Sequence, residues 1–265
     1  MQNLKQIFRS LLKYKSFTII NLLGLSIGVA AVMLIFMIAD YEKSFDKQQG
    51  NAKDIFRVVS KSDRAGKPYY EANVPYPTAK LLRNEYPGIQ ATEIHFSSDV
   101  NVRIGNQSPF AEKNIVFADS LFFNVFDFSG INKFLVAGNA VKALSEPNKV
   151  ILTESAARRY FGSSNPIGKV IKLDAKLDVE VAAIVKDMPA TTHLPFSMII
   201  SYASLTKEFI GGFNLDGWGL VSGGFCYVKL GNKTPVTAVE RALYSIVQRN
   251  SEDERDKRKK FYLQP

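Results

Sequence analysis

Four features of this 265-residue chain have residue types and spacing that invite a chemical reading. The first is Gly162-Ser-Ser-Asn-Pro-Ile-Gly168-Lys169-Val170. A phosphate-binding loop needs G-x-x-x-x-G-K-[ST], so that backbone amides cradle phosphate oxygens and a hydroxyl holds magnesium. Here the spacer is one residue too long and Val170 stands where the hydroxyl should be, so nucleotide binding is not expected. The second is Gly217, Gly219 and Gly223, whose third spacing is wrong for a dinucleotide loop and which precede a strand-like run, not a helix. The third is the histidine pair, His95 and His193, far apart and without a neighbouring Cys or His at metal-ligand spacing. The fourth is Cys226, the sole cysteine, set in a strand-like run and read as packed. No G-x-S-x-G elbow anchors a hydrolase triad. The chain offers no positive argument for an enzyme, and no cofactor or metal is expected.

The segment that organises the rest is Phe17 to Ala39, FTIINLLGLSIGVAAVMLIFMIA, without one charged residue. At ~1.5 Å rise per residue it reaches roughly 34 Å, enough to cross a bilayer's hydrocarbon core with some tilt. Lys5, Arg9, Lys13 and Lys15 precede it without an acidic residue, whereas Asp40, Glu42 and Asp46 follow it. Cytoplasmic flanks are enriched in Lys and Arg, so the N-terminus is expected inside and everything after Asp40 outside. The run is too long for a secretory signal and Met37-Ile38-Ala39 is a poor cleavage site, so an uncleaved anchor is expected. Gly24, Gly28 and Ala31 share a face on which another helix can approach closely. Before the span, Leu4, Ile7, Phe8, Leu11 and Leu12 recur at helical spacing opposite Lys5, Arg9 and Lys13. That pattern predicts an amphipathic helix at the membrane's cytoplasmic interface, in contact with lipid. The division expected is therefore 1–16 interfacial helix, 17–39 membrane helix and 40–265 extracytoplasmic domain.

Composition bounds the last of these. A hydrophobic fraction of 46% against 22% charged is that of a folded domain, not of a disordered chain. The net charge of +9 draws partly on the basic flank before the span, and Lys257-Arg-Lys-Lys260 follows a run of acidic residues. Mixed sign of this kind describes a solvated helix face or tail, so no nucleic-acid partner is expected. A single cysteine excludes an intrachain disulfide.

Local patterns predict strands at Ile55–Val59, Ile115–Phe117, Val150–Leu152, Phe196–Tyr202 and Phe225–Leu230, and a strand pair over Ile94–Ile104. Helices are predicted over Pro75–Tyr86, stopped by Pro87-Gly88, from the N-cap Thr153 through Tyr160 with Gly162 as stop, and over Pro235–Arg249. GKVIKL and VEVAAIV between Gly168 and Val185 read as a hairpin turning near Asp174–Asp178, and residues 211–224 as loop. The phenylalanine-rich stretch Asp119–Phe128 reads as core. Strands and helices alternate without a βαβ rhythm, so the class is α+β.

Three stretches together resemble the MacB-like periplasmic core domain of the FtsX-like ABC transporter permeases. They are the basic helix and span leading to YEKSFDKQQGNAKDIFRVV (Tyr41–Val59), ADSLFFNVFDFSG (Ala118–Gly130), and KVILTESAARRYFGSSNPIGKVIKL (Lys149–Leu173) followed by VAAIVKDMPATTHLPFSMIIS (Val181–Ser201). The form resembles the large permeases of Bacteroidetes-type bacteria. The resemblance implies a two-lobed extracytoplasmic α+β domain on a single N-terminal membrane helix, in the inner membrane. It makes Asn165, Pro166, Ile167, Gly168 and Lys169 a structural turn. It also implies a non-catalytic permease-type subunit in which a cytoplasmic ABC ATPase drives a homodimer or heterodimer, and the motion reaches an outer domain acting on a substrate or a periplasmic partner protein. Such permeases continue past the Tyr262–Pro265 segment into further membrane helices, so the chain is expected to be a fragment or truncated form. The competing expectation is a stand-alone membrane-anchored binding or sensing module, and reading the gene beyond codon 265 separates the two.

Overall fold

The computed structural model describes residues 9, 11–46, 50–97, 99–126, 134–212, 214–218, 224–231 and 234–265, apart from the side chain of residue 64. The chain divides into two compact units, one ending at Asp46 and one beginning at Lys47.

The first unit is dominated by α1 (Lys15–Lys43), a 29-residue helix with no buried residue. Two of its polar side chains bond back to preceding backbone carbonyls. Thr18 Oγ1 donates to the Leu11 and Tyr14 carbonyls at 3.0 Å, and Ser26 Oγ to the Leu22 carbonyl at 2.8 Å. Residues 11–13 are also helical, while Leu4, Ile7 and Phe8 of the expected interfacial helix lie outside the described residues.

The second unit is built on one mixed sheet. In chain order its elements are β1 (Ile55–Arg64), β2 (Lys67–Glu71), α2 (Thr78–Glu85), β3 (Gln90–Ser97), β4 (Val100–Ile104), β5 (Phe110–Glu112), β6 (Ile115–Ala118), α3 (Phe122–Val125), β7 (Leu135–Gly138), α4 (Ala140–Ser145), β8 (Lys149–Thr153), α5 (Glu154–Phe161), β9 (Val170–Leu173), β10 (Leu177–Val185), β11 (Met198–Ser201), β12 (Gly224–Lys229), α6 (Val236–Asn250), α7 (Glu254–Lys257) and β13 (Lys260–Gln264). The strand order is β13-β1-β12-β3-β6-β11-β8-β10-β9-β4-β5, with β2 on β1 and β7 on β10. Two pairings are parallel, β6 with β11 and β8 with β10, and the rest are antiparallel.

Two halves of that sheet carry their own cores. Around β13-β1-β12-β3, the inward faces of α2 and α6 (Ala79, Leu82, Val239, Leu243, Ile246) pack on Val58, Ala91, Cys226 and Val228, with Trp218 closing one side. In the other half the central strands are buried on both faces, so successive residues alternate between two apolar clusters. Ile115, Phe117, Val150, Leu152, Met198 and Ile200 face α5, whereas Val116, Ile151 and Ile199 face Phe122, Phe126 and α4. The phenylalanine stretch is core where it is described, with Phe122 and Phe126 buried. Full burial of each such side chain is worth about 1.5–3 kcal/mol.

Three elements differ from the sequence expectation. The strands over Ile94–Ile104 do not pair with each other: β3 runs between β12 and β6, while β4 runs between β9 and β5. Asp99 between them takes φ 58°, turning the chain away. β2 returns along β1 through Ala65-Gly66, both at positive φ, a two-residue turn whose residues suit a primed hairpin. The C-terminal charged run does form a short exposed helix with internal ion pairs, Glu254–Lys257 and Asp256–Lys259, but the chain then enters β13 and completes the sheet beside β1.

Candidate functional site

On α1, Gly24, Gly28 and Ala31 are four and three residues apart and so fall on one face. Nothing lies within 4 Å of a methyl built on Gly24 or Gly28 among the described residues, so that face is open. The helix is long and apolar enough to cross a membrane by length and composition.

The turn at Asn165–Lys169 is built from both sides. Thr153 caps α5 by accepting from the Ala156 N–H at 3.3 Å, and Asp187 accepts from the Ser155 amide and hydroxyl at 3.0 and 2.6 Å. The helix ends at Gly162, which takes φ +61°. Asn165 Oδ1 then accepts from the Ile167 N–H at 3.1 Å across Pro166, and the Lys169 N–H donates to the Pro166 carbonyl at 3.1 Å. The Gly168 N–H donates to the Val181 carbonyl at 2.8 Å, and the Val181 N–H returns to the Lys169 carbonyl at 2.9 Å. The amides of Ile167, Gly168 and Lys169 are thereby all engaged within the protein. Lys169 Nζ donates to Ser164 Oγ at 2.7 Å and lies 4.9 Å from the Phe161 ring centroid.

The other sequence candidates do not converge. His95 is buried and His193 exposed, and no group of three or more His, Cys, Asp or Glu among the described residues could hold a metal. Cys226 is buried on β12 opposite Glu93, and burial, with the nearby Glu93 and Asp119 charges, pushes its thiol pKa up, away from nucleophilic thiolate. Gly217 is described, but Gly219 and Gly223 lie outside the described residues.

What sequence reasoning missed is a polar network at the seam between the two halves of the sheet. On β3, Ala91, Glu93 and His95 share one face because they alternate along a strand. Ala91 belongs to the core under α2, whereas the His95 ring lies 5.5 Å from Tyr76 and 6.2 Å from Phe117, in the neighbouring core. Glu93 sits between them, 3% exposed. Its Oε2 accepts from the Ala79 N–H at 2.9 Å, in the first turn of α2, and its Oε1 is buried without a partner among the described residues. Asp119 accepts from Arg83 Nη1 at 2.7 Å, from Thr92 Oγ1 at 2.6 Å and from the amides of Glu93 and Leu121. Arg83 also donates to the Ala91 carbonyl at 2.6 Å.

Burial raises the Glu93 pKa well above the ordinary carboxylate value, reinforced by Asp119 and opposed by the Ala79 N–H and Arg83. Burial likewise lowers His95 to about 4. Tyr202, whose hydroxyl donates to the Tyr76 carbonyl at 3.4 Å, has its phenol pKa raised by burial and then by the Glu93 charge. A cleft of about 540 Å³ opens onto Glu93, Arg83, Asp119, Tyr76 and Tyr202. The one signal for it in the sequence was an inward-facing acid in the strand ATEIHF.

Set against known proteins, the architecture recurs. A domain of a protein named as a permease in Porphyromonas gingivalis superposes with a TM-score of 0.66 at 19% identity, over 82% of this chain and 91% of that one. The periplasmic region of MacB from Actinobacillus actinomycetemcomitans gives 0.53 at 19% identity, over 83% and 94%. The extracellular domain of the noncanonic ABC-type transporter YknZ from Gram-positive bacteria gives 0.52 at 13% identity, over 80% and 100%. No curated protein sequence matches the chain. These identities speak for a shared fold, and the sequence itself goes further: residues 18–246 match the MacB-like periplasmic core domain, so the chain belongs to that family.

Proposed function

We propose that this chain is a non-catalytic, permease-type component of an ABC transporter, anchored in the bacterial inner membrane by residues 17–39. Residues 1–16 lie on the cytoplasmic side against lipid, and residues 40–265 form the periplasmic domain. Motion driven by a cytoplasmic ABC ATPase passes through a permease dimer to this domain, which works on a substrate or on a periplasmic partner protein. The observation that carries the reading is one apolar 29-residue helix in the same chain as a MacB-like domain. The basic flank before the helix and the acidic residues after it support the orientation. In the dimer, Gly24, Gly28 and Ala31 form a packing face, and Asn165 to Lys169 form a rigid turn that holds α5 against the β9–β10 hairpin.

The test is a topology reporter fused after Asp46, combined with affinity purification of the chain from its native membrane. A reporter active outside the cytoplasm and a co-purifying ABC ATPase support the proposal. Cytoplasmic reporter activity sinks the orientation, and hydrolytic activity of the chain that one point substitution abolishes sinks the non-catalytic assignment.

A further inference from the structure

We propose that the cleft between Tyr76, Tyr202 and Glu93 binds an organic ammonium group carried on an apolar body. The volume, about 540 Å³, is that of a small-molecule site. Its wall combines Glu93 and two tyrosines with Leu205, Leu215 and Pro77.

Charge matching decides the sign of the ligand. Arg83 is committed to Asp119 and to the Ala91 carbonyl, and Lys80 pairs with Asp216 at 3.3 Å. Glu93 is the acid in this wall that forms no ion pair among the described residues, although the Arg83 charge acts on it. Capping α2 uses one carboxyl oxygen, Oε2, and a neutral glutamine would serve that purpose equally. The second oxygen, Oε1, is buried with no donor, a costly arrangement that an incoming N–H donor relieves. An ammonium supplies that donor together with the counter-charge, while the tyrosine rings favour a cation over their faces.

The proton balance is simple. Burial and the Asp119 charge favour the neutral form of Glu93, opposed by the Ala79 N–H and Arg83, and burial likewise favours the protonated Tyr76 and Tyr202 phenols and Cys226 thiol around it. An entering ammonium favours the carboxylate, which pairs with it, and a proton displaced from the carboxyl leaves to solvent. One positive charge replaces another, so the seam stays electrically matched.

The experiment is isothermal titration calorimetry on the full chain in lipid nanodiscs, with empty nanodiscs as blank, using phenethylammonium chloride, 2-phenylethanol and sodium 3-phenylpropionate. The expected result is saturable binding of the ammonium alone. Glu93→Gln, which keeps an acceptor for Ala79, and Ala203→Trp, a bulky change at the exposed cleft residue Ala203, should each weaken binding at least about tenfold. Thermal melting identifies either variant that fails to fold, and the other then carries the test. Absent saturation, equal affinity for the alcohol or carboxylate, or unchanged affinity in a folded variant overturns the proposal. None of these results bears on membrane orientation or on the ATPase, so the transporter reading stands or falls separately.

Discussion

Arg83 and Asp119 tie the two halves of the sheet together. Arg83 Nη1, on α2, lies 2.7 Å from Asp119 Oδ2, in the turn that follows β6. Both side chains are mostly buried, and Asp119 also organises Thr92 and the backbone of Glu93 and Leu121. Removing one partner of such a pair leaves the other charge desolvated. Asp119→Asn is expected to cost about 2–4 kcal/mol, seen as a lower denaturant midpoint with an unchanged slope. A change below 0.5 kcal/mol would show that water replaces the carboxylate.

Gly138 closes β7 against a bulge in β10, at φ +79°. A methyl there would overlap the Ala182 carbonyl oxygen and come 2.8 Å from Ala183 Cα, both backbone atoms that cannot swing away. Gly138→Ala is therefore expected to lose about 3 kcal/mol or more, by combining left-handed strain with overpacking. Thermal melting measures it, and a near-neutral variant would mean that β7 can detach from β10 cheaply.

The N-terminus of α5 has two caps, Thr153 on the Ala156 amide and Asp187 on the Ser155 amide. Each single replacement by alanine is expected to cost about 1 kcal/mol. Because both serve one helix end, the double variant should cost less than the sum, by at least about 0.5 kcal/mol in a double-mutant cycle. Strict additivity would show that the two caps act independently.

His95 gives the protein a pH dependence with a definite sign. Its folded pKa, about 4, lies below the ordinary histidine value of 6.5 because burial disfavours the imidazolium. Between those values the unfolded chain binds a proton that the folded chain refuses, so stability falls as pH drops from 6.5 toward 4, by up to about 3 kcal/mol. Glu93 works in the opposite direction, since its raised pKa makes the folded chain hold a proton that the unfolded chain has released above pH 4.5. His95→Phe removes a buried Nδ1 that has no partner and places a ring between Tyr76 and Phe117. The difference in melting temperature between variant and wild type should grow as pH falls through this window. A constant difference would place the imidazole's titration elsewhere.

On α1, Gly24→Leu or Gly28→Leu should weaken helix association in a membrane reporter assay, because leucine fills the face that permits close approach. Unchanged association would remove these glycines from the packing face.

Short-range signals were the legible ones. The charge-free run Phe17–Ala39, the Thr153 cap and the Gly162 stop each act over a few residues, so residue type and spacing identify them directly, whereas the turn at Asn165–Lys169 came from the family resemblance. They also carry the family resemblance that the match over residues 18–246 establishes. The pairing of strands was a different matter. Lys260–Gln264 carries no strand expectation in the sequence, yet Gln264 lies opposite Arg57, because an edge strand's backbone bonds depend on a partner two hundred residues away. For the same reason β3 and β4 look like a hairpin and are not one.

Sequence by itself thus determined the long apolar helix, the α+β class and the local caps, all read from contiguous residues. Only the tertiary structure decided that Glu93, Asp119 and Arg83 meet at one seam, and that one oxygen of Glu93 is left without a partner there. Desolvation and unpaired charge belong to the packed neighbourhood, and no spacing rule within a single segment encodes them.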